Sequence, residues 1–291
     1  MRPMVAITCT AFLGSVLLAA CAGSDGAPGP SGATGPAGAQ GGAGPAGTNG
    51  NAGAVTTGTN GTNGTNGTMG APGEAGAPPS YPIPTNGLVG YYRGDGHDLS
   101  GGGHDATPTA VTIVSDRFGM LATAAHFDGA APSYFTVAND PVLPTGASAR
   151  AVSVWFRTAG TAVFGAIFNW GNAASPAQRF GELVQALPSG QDYFVGQWAD
   201  LPGRAPLADD DWHHVVVNYD GVSVAVYVDD VLSVAGPVAL DTTGQDLFIG
   251  VSKNPSLGTE PFTGDIDSLR IYDRVLTHEE RDALFHEGGW H

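Results

Sequence analysis

From residue 86 to residue 291 the sequence predicts an all-β fold of two antiparallel sheets packed face to face as a sandwich. Short runs alternate apolar and polar residues at period two, and clusters of Gly, Asp, Asn and Pro separate them. No alternation of strand and helix patterns interrupts the series, and the one credible helix signal comes at the end. About 205 residues are enough to bury the core of a single all-β domain.

The chain ahead of that domain carries separate signals. Arg2 precedes an apolar run from Val5 to Leu18, shorter than the ~20 residues that a spanning helix needs. Leu18-Ala19-Ala20-Cys21 follows directly and resembles the bacterial lipobox, where signal peptidase cuts before a cysteine that carries diacylglycerol. The resemblance implies a signal peptide over residues 1–20 and an acylated N-terminus at Cys21. Ala22 in the next position implies outer-membrane sorting if the host is Gram-negative. The expected location is the cell envelope, facing the surface or the periplasm, with the lipid as the only membrane contact. Cys9 leaves with the signal, so the mature chain has no second cysteine for a disulfide.

Residues 21–80 form a low-complexity stalk and linker. Glycine recurs every third residue from Gly23 to Gly53 and again from Gly58 to Gly76, with Ala54-Val55-Thr56-Thr57 breaking the period. The pattern resembles bacterial collagen-like stalks, whose triple helix admits only glycine at its axis, and so implies a homotrimer. The sparse prolines and the Gly-Thr-Asn block fit an extended monomeric spacer equally well. Fully extended at ~3.1 Å per residue, ~55 residues span on the order of 170 Å.

Within the domain, Val152, Val154 and Phe156 alternate with Ser153, Trp155 and Arg157 as a strand. His214 to Tyr219 and Ser223 to Val228 flank Asp220-Gly221, a hairpin dipeptide. Asp229-Asp230 then turns into Val231-Leu232-Ser233-Val234. Leu247 to Gly250 and Ile266 to Tyr272 supply two more strands. Thr277-His278-Glu279-Glu280 is a capping box ahead of Ala283, Leu284 and Phe285, the apolar face of the closing helix.

Several of these segments share a family pattern. Gly87-Leu88-Val89-Gly90-Tyr91-Tyr92, Asp98-Leu99-Ser100-Gly101, Asp116-Arg117-Phe118-Gly119 and Phe127-Asp128-Gly129 come first. Trp212-His213-His214-Val215, Tyr227-Val228-Asp229 and the closing Gly264-Asp265-Ile266-Asp267-Ser268-Leu269-Arg270-Ile271-Tyr272 follow. In order and spacing they resemble concanavalin A-like, laminin-G-type domains. The resemblance implies a two-sheet jelly roll over residues 86–291 that binds glycans or proteins, often with calcium. By the same resemblance a structural calcium would lie between the glycine-rich loop Gly94–Gly103 and the last strand. Asp98 and Asp267 are its first expected ligands, and Asp95 and Asp265 come next. A metal-free alternative has Asp267 hydrogen-bonding the same loop.

Charge and motifs narrow the function classes. The net charge of −16 resides almost wholly in the domain, where Lys253 is the only lysine, which excludes nucleic acid as a partner. Retaining glucanases need two carboxylates about 5 Å apart, and the domain's glutamates lack the Glu-x-Asp-x-x-Glu spacing. Gly-x-Ser-x-Gly and His-Glu-x-x-His are absent too, so the domain reads as non-catalytic. His213-His214 reads as structural, because strand neighbours point to opposite faces. A sugar site pairs an aromatic platform with amides and carboxylates, and Trp170 with Asn172 and Gln197 with Trp198 have that composition. Core packing is the alternative for either tryptophan. The expected function is therefore display of a glycan- or protein-binding adhesion module on a stalk. The alternatives are an envelope protein built around a trimerising stalk, and a divergent glycoside hydrolase.

Overall fold

The computed structural model describes residues 82–290, apart from 130–132, 245 and 255–257. The signal segment, Cys21 and the Gly-X-Y stretch lie outside the described residues. In chain order the strands are β1 (Leu88–Tyr92), β2 (Thr107–Thr109), β3 (Thr112–Val114), β4 (Ala124–Asp128), β5 (Tyr134–Val137) and β6 (Arg150–Arg157). Then come β7 (Gly165–Gly171), β8 (Arg179–Val184), β9 (Gln191–Val195), β10 (Leu201–Pro206), β11 (Trp212–Tyr219) and β12 (Ser223–Val228). The series ends with β13 (Val231–Pro237), β14 (Leu247–Ile249), β15 (Lys253–Asn254), β16 (Gly258–Thr259) and β17 (Thr263–Tyr272), followed by the helix α1 (His278–Phe285).

Two antiparallel sheets make the expected sandwich. The first runs β13-β12-β11-β6-β17-β4-β3, with β1 also paired to β17; the second runs β10-β9-β8-β7-β14-β5-β2. Inward residues interdigitate between them, with Phe127, Val154, Phe156, Val217 and Ile266 meeting Phe135, Phe168, Trp170, Phe180 and Phe194. All of these side chains are buried, and hydrophobic transfer of such area is the main stabilising contribution. The strand over Ile266–Tyr272 is longer than its sequence pattern and begins at Thr263.

The outer faces of the two sheets differ. The capping box forms as expected, with Thr277 Oγ1 accepting from Glu280 N at 3.3 Å and Glu280 Oε2 accepting from Thr277 N at 2.9 Å. It starts α1 against the first sheet, where Leu284 and Leu276 pack on Ala151, Val216 and Tyr272. Trp155 on the same face stacks on His214 and Phe285 and meets Trp290 edge-on. Among the described residues no such helix covers the outer face of the second sheet. Its outward side chains Ala166, Leu183 and Val195 instead form a small apolar cluster with Phe164 and Tyr193.

The second sheet also buries two acids. Glu182 shares the inward register of β8 with Phe180 and Val184, and Asp192 shares that of β9 with Phe194; both acids are fully buried. Glu182 Oε1 accepts from Tyr193 N at 2.8 Å, while Oε2 has no hydrogen-bond partner. Asp192 Oδ1 accepts from Ala205 N (2.8 Å) and Ser233 Oγ (2.9 Å), tying β9 to β10 and across to β13, while Oδ2 is unpartnered. A Cβ on Gly203 would collide with the Asp192 carboxylate, so this position requires glycine. Burial, then the charge of Asp192, pushes the Glu182 carboxyl well above the usual range.

Candidate functional site

The four aspartates expected to hold calcium occupy three separate environments. Asp98 Oδ1 accepts from Tyr91 N (3.1 Å) and Ser100 N (2.9 Å), and its Oδ2 accepts from His104 N at 3.1 Å. Asp95 is exposed and accepts from His97 N at 3.1 Å. Asp265 pairs with Arg157 Nη2 at 2.5 Å and His126 Nδ1 at 2.7 Å. Asp267 is buried against Arg117 Nη1 at 2.5 Å, with Arg93 Nε 3.7 Å from its other oxygen.

Arg117 and Arg270 share Glu287, and Arg93 pairs with Asp116, so three guanidinium groups balance three carboxylates. Arg117 also stacks over Phe118 and Trp155. Among the described residues no three acidic, histidine or cysteine groups converge as metal ligands. As placed, the donor set does not fit calcium, because N–H groups and protein cations hold the oxygens of Asp98, Asp265 and Asp267 while Asp95 is exposed. Arg93 and Arg117 fasten the N-terminal segment to the last strand through Asp267. His213 and His214 part as expected: His213 lies between Asp229 (2.8 Å) and Asp209 (3.0 Å), while His214 meets Ser153 Oγ at 2.8 Å.

The two expected sugar-binding pairs also part. Trp170 alternates inward with Phe168 on β7, is 0% exposed, and donates Nε1–H to the Pro144 carbonyl at 3.0 Å. Its ring therefore has no face open to a ligand. Asn172 is engaged in its own loop, with Nδ2 donating to Gln178 Oε1 at 3.0 Å and Ser175 Oγ at 3.3 Å. Trp198, by contrast, is 65% exposed.

The turn after β9 presents Trp198. Gln197 and Trp198 hold consecutive left-handed conformations, φ 59° and 60°, which non-glycine residues adopt at a cost. Asp200 Oδ1 fixes the turn by accepting from Gly196 N at 2.9 Å, and Ala177 N donates to the Gln197 carbonyl at 2.8 Å. Gln197 and Trp198 line a pocket of about 90 Å³ on the outer face of the second sheet. Phe164 and Tyr193, whose rings meet edge-on at 5.1 Å, supply further aromatic lining. Arg179 and Glu260 complete the polar lining, paired at 2.8 Å. Burial and the charge of Asp200 push the Tyr193 phenol up to about 12, so it stays a neutral donor to Asp200.

The sequence places Gln197, Trp198 and Asp200 together but gives no sign of Arg179 or Glu260, whose side chains meet across 81 residues of chain. A wider groove of about 590 Å³ lies on the first sheet beside His126, Asp265 and Arg157. Those charged groups are already satisfied by one another, and the groove offers no exposed indole.

A family model described as the concanavalin A-like lectin/glucanases superfamily matches residues 128–280, just over half of the chain. Among curated proteins, none matches in sequence. Similar solved structures include domain 4 of an extracellular GH43 arabinanase from Geobacillus stearothermophilus in complex with arabinotriose. It is 21% identical with a TM-score of 0.55, over 68% of this chain and 97% of that one. The binding domain of Paraclostridial Mosquitocidal Protein 1 is 15% identical with a TM-score of 0.55, over 69% of this chain and 52% of that one. The binding domain of botulinum neurotoxin DC in complex with rat synaptotagmin II is 11% identical with a TM-score of 0.53, again over 69% and 52%. This chain thus spans about half the length of the toxin domains, and at these identities the likeness is one of fold.

Proposed function

As the chain belongs to the concanavalin A-like lectin/glucanases superfamily, we propose that its domain is a non-catalytic module that binds a glycan over Trp198. The observation that carries this reading is an exposed indole held by a strained turn, beside a pocket lined by further aromatics and paired polar groups. Maintaining a left-handed Trp costs stability, and presenting its ring to a ligand is a use that offsets that cost. The arabinanase domain, whose structure contains arabinotriose, supports the sugar reading by analogy of fold.

The non-catalytic reading draws on the acids. Glu182 and Asp192 lie on adjacent strands but inside the sandwich, where no glycosidic bond could reach them. Asp200 and Glu260, at the pocket, are each already held by a donor of the chain. Display from the cell envelope through acylated Cys21 and the Gly-X-Y stalk completes the proposal and rests on the sequence pattern alone.

The test is a glycan array probed with the full-length protein in detergent and with Trp198→Ala. Retention of at least one glycan class, weakened about tenfold or more by the substitution, is expected. Retention of none, or binding that ignores the substitution, would overturn the reading.

A further inference from the structure

Building on that glycan reading, we propose that the Trp198 pocket selects an N-acetylated amino sugar, with Gln197 reading the amide of its acetamido group. Gln197 lines the pocket and is only 3% exposed. Among the described residues its carboxamide makes no hydrogen bond, yet neither amide atom is closed to solvent. The little surface that Gln197 keeps therefore includes an unsatisfied donor and an unsatisfied acceptor. Such a group on a buried residue is uncommon and marks a place where a ligand or water belongs.

The backbone holds this residue firmly. Gln197 and Trp198 are consecutive left-handed residues, and the Gln197 carbonyl accepts from Ala177 N at 2.8 Å. A Cβ on Gly196 would stand 2.7 Å from the Ala199 carbonyl oxygen, so the turn is wound tightly on both sides of Gln197. One strained turn thus presents an indole face and a free carboxamide together.

The rest of the lining restricts what can enter. Its charges are engaged within the chain: Arg179 donates to Glu260 at 2.8 Å, and Asp200 accepts from Gly196 N at 2.9 Å and from the Tyr193 hydroxyl at 3.3 Å. Phe164, Leu183 and Val195 make the wall apolar. A sugar hydroxyl or ammonium turned towards that wall gives up water for no partner, whereas a methyl group gains by burial. An acetamido group combines both needs in one neutral substituent. Its methyl suits the wall, and its amide can accept from Gln197 Nε2 or donate to Oε1. A pocket of about 90 Å³ takes a substituent rather than a whole ring, which leaves the ring face for Trp198.

The experiment measures binding of the full-length protein to chitotriose, to cellotriose, which has hydroxyls in place of the acetamido groups, and to the de-N-acetylated chitosan trimer. The same three substituents are compared on galactose. In at least one series the acetamido ligand should bind at least about tenfold more tightly than both counterparts. Gln197→Met keeps the length of the side chain without its amide and should remove most of that preference. Gln197→Asn, a residue tolerant of left-handed backbone, withdraws the amide and should do the same if Gln197→Met fails to fold. The ligand comparison on the unaltered protein decides the matter even if neither variant folds. Trp198→Ala should weaken every ligand of the series. Acetamido ligands that bind no better than their counterparts, or a preference that survives both Gln197 substitutions, would overturn the acetamido assignment. The glycan site would still stand if binding of any glycan depended on Trp198. Retention of no glycan, or binding indifferent to Trp198→Ala, would remove the site and this assignment with it.

Discussion

At the scale of single residues, His213 shows how the acidic surface is put to structural use. Both ring nitrogens face carboxylates, Asp229 at 2.8 Å and Asp209 at 3.0 Å, so the imidazolium form satisfies all three groups. Burial works against the charge, yet the hydrogen bonds and charges of Asp229 and Asp209 hold its pKa above the ordinary value. A histidine raised on folding contributes stability that is complete below its unfolded pKa of about 6.5 and lost as pH rises through its folded pKa. His213→Gln is therefore expected to cost about 1 kcal/mol near pH 5 and much less near pH 9. Denaturation midpoints across that range check it, and a cost independent of pH would contradict the charged pairing. The two tryptophan pairs show what single residues reveal in sequence. Asn-Trp-Gly-Asn and Gln-Trp-Ala-Asp look alike in composition, but one indole alternates with Phe168 on a strand and the other stands in a turn beyond β9. Burial follows from that register, which local composition does not carry.

At the scale of elements, the strands flagged by alternation formed, as did the capped helix. The strands β7 to β10 were less legible because their apolar residues are interrupted by Glu182, Asp192 and two prolines, which blur the period. The buried acids lead to a prediction of their own. Because the folded pKa of Glu182 is raised, its contribution is complete below about pH 4.3 and declines as pH rises towards the folded pKa. Glu182→Gln should therefore gain on the parent with pH, by on the order of 1 kcal/mol per unit over that window. Stability measured from pH 5 to pH 9 decides it, and parallel curves would exclude a buried titrating acid. The arginine network makes the opposite case. Arg117→Met leaves Asp267 buried without its partner, an expected loss of about 3–5 kcal/mol by chemical denaturation at pH 7. The melting temperature of the parent should not respond to EDTA or added calcium. A calcium-dependent rise would show that a metal joins the network.

At the scale of the whole molecule, the charge of −16 and an outer face of the second sheet that no helix covers among the described residues set what the domain can approach. An anionic surface is repelled by phosphates and tolerates neutral polymers, in keeping with the chemistry of the Trp198 pocket. The glycine period of residues 23–76 admits the two states proposed for a stalk, and they differ in mass and in thermal behaviour. A collagen-like trimer requires a threefold mass and a cooperative melt of the polyproline-type circular dichroism signal; a spacer gives a monomer with no transition.

The chain enters the domain beside the end of its last strand. Tyr272 donates its hydroxyl to the Pro84 carbonyl at 3.1 Å, Arg274 Nε donates to the Asn86 carbonyl at 2.9 Å, and β1 pairs along β17 immediately afterwards. In mechanical terms this is a clamp. Tension arriving from the N-terminal side, as when a bound target is dragged by flow, meets the longest strand of the sandwich before it reaches any loop. Behind that strand stand the arginine pairs of Arg93 and Arg117, so a pull on the N-terminal segment would load those contacts as well.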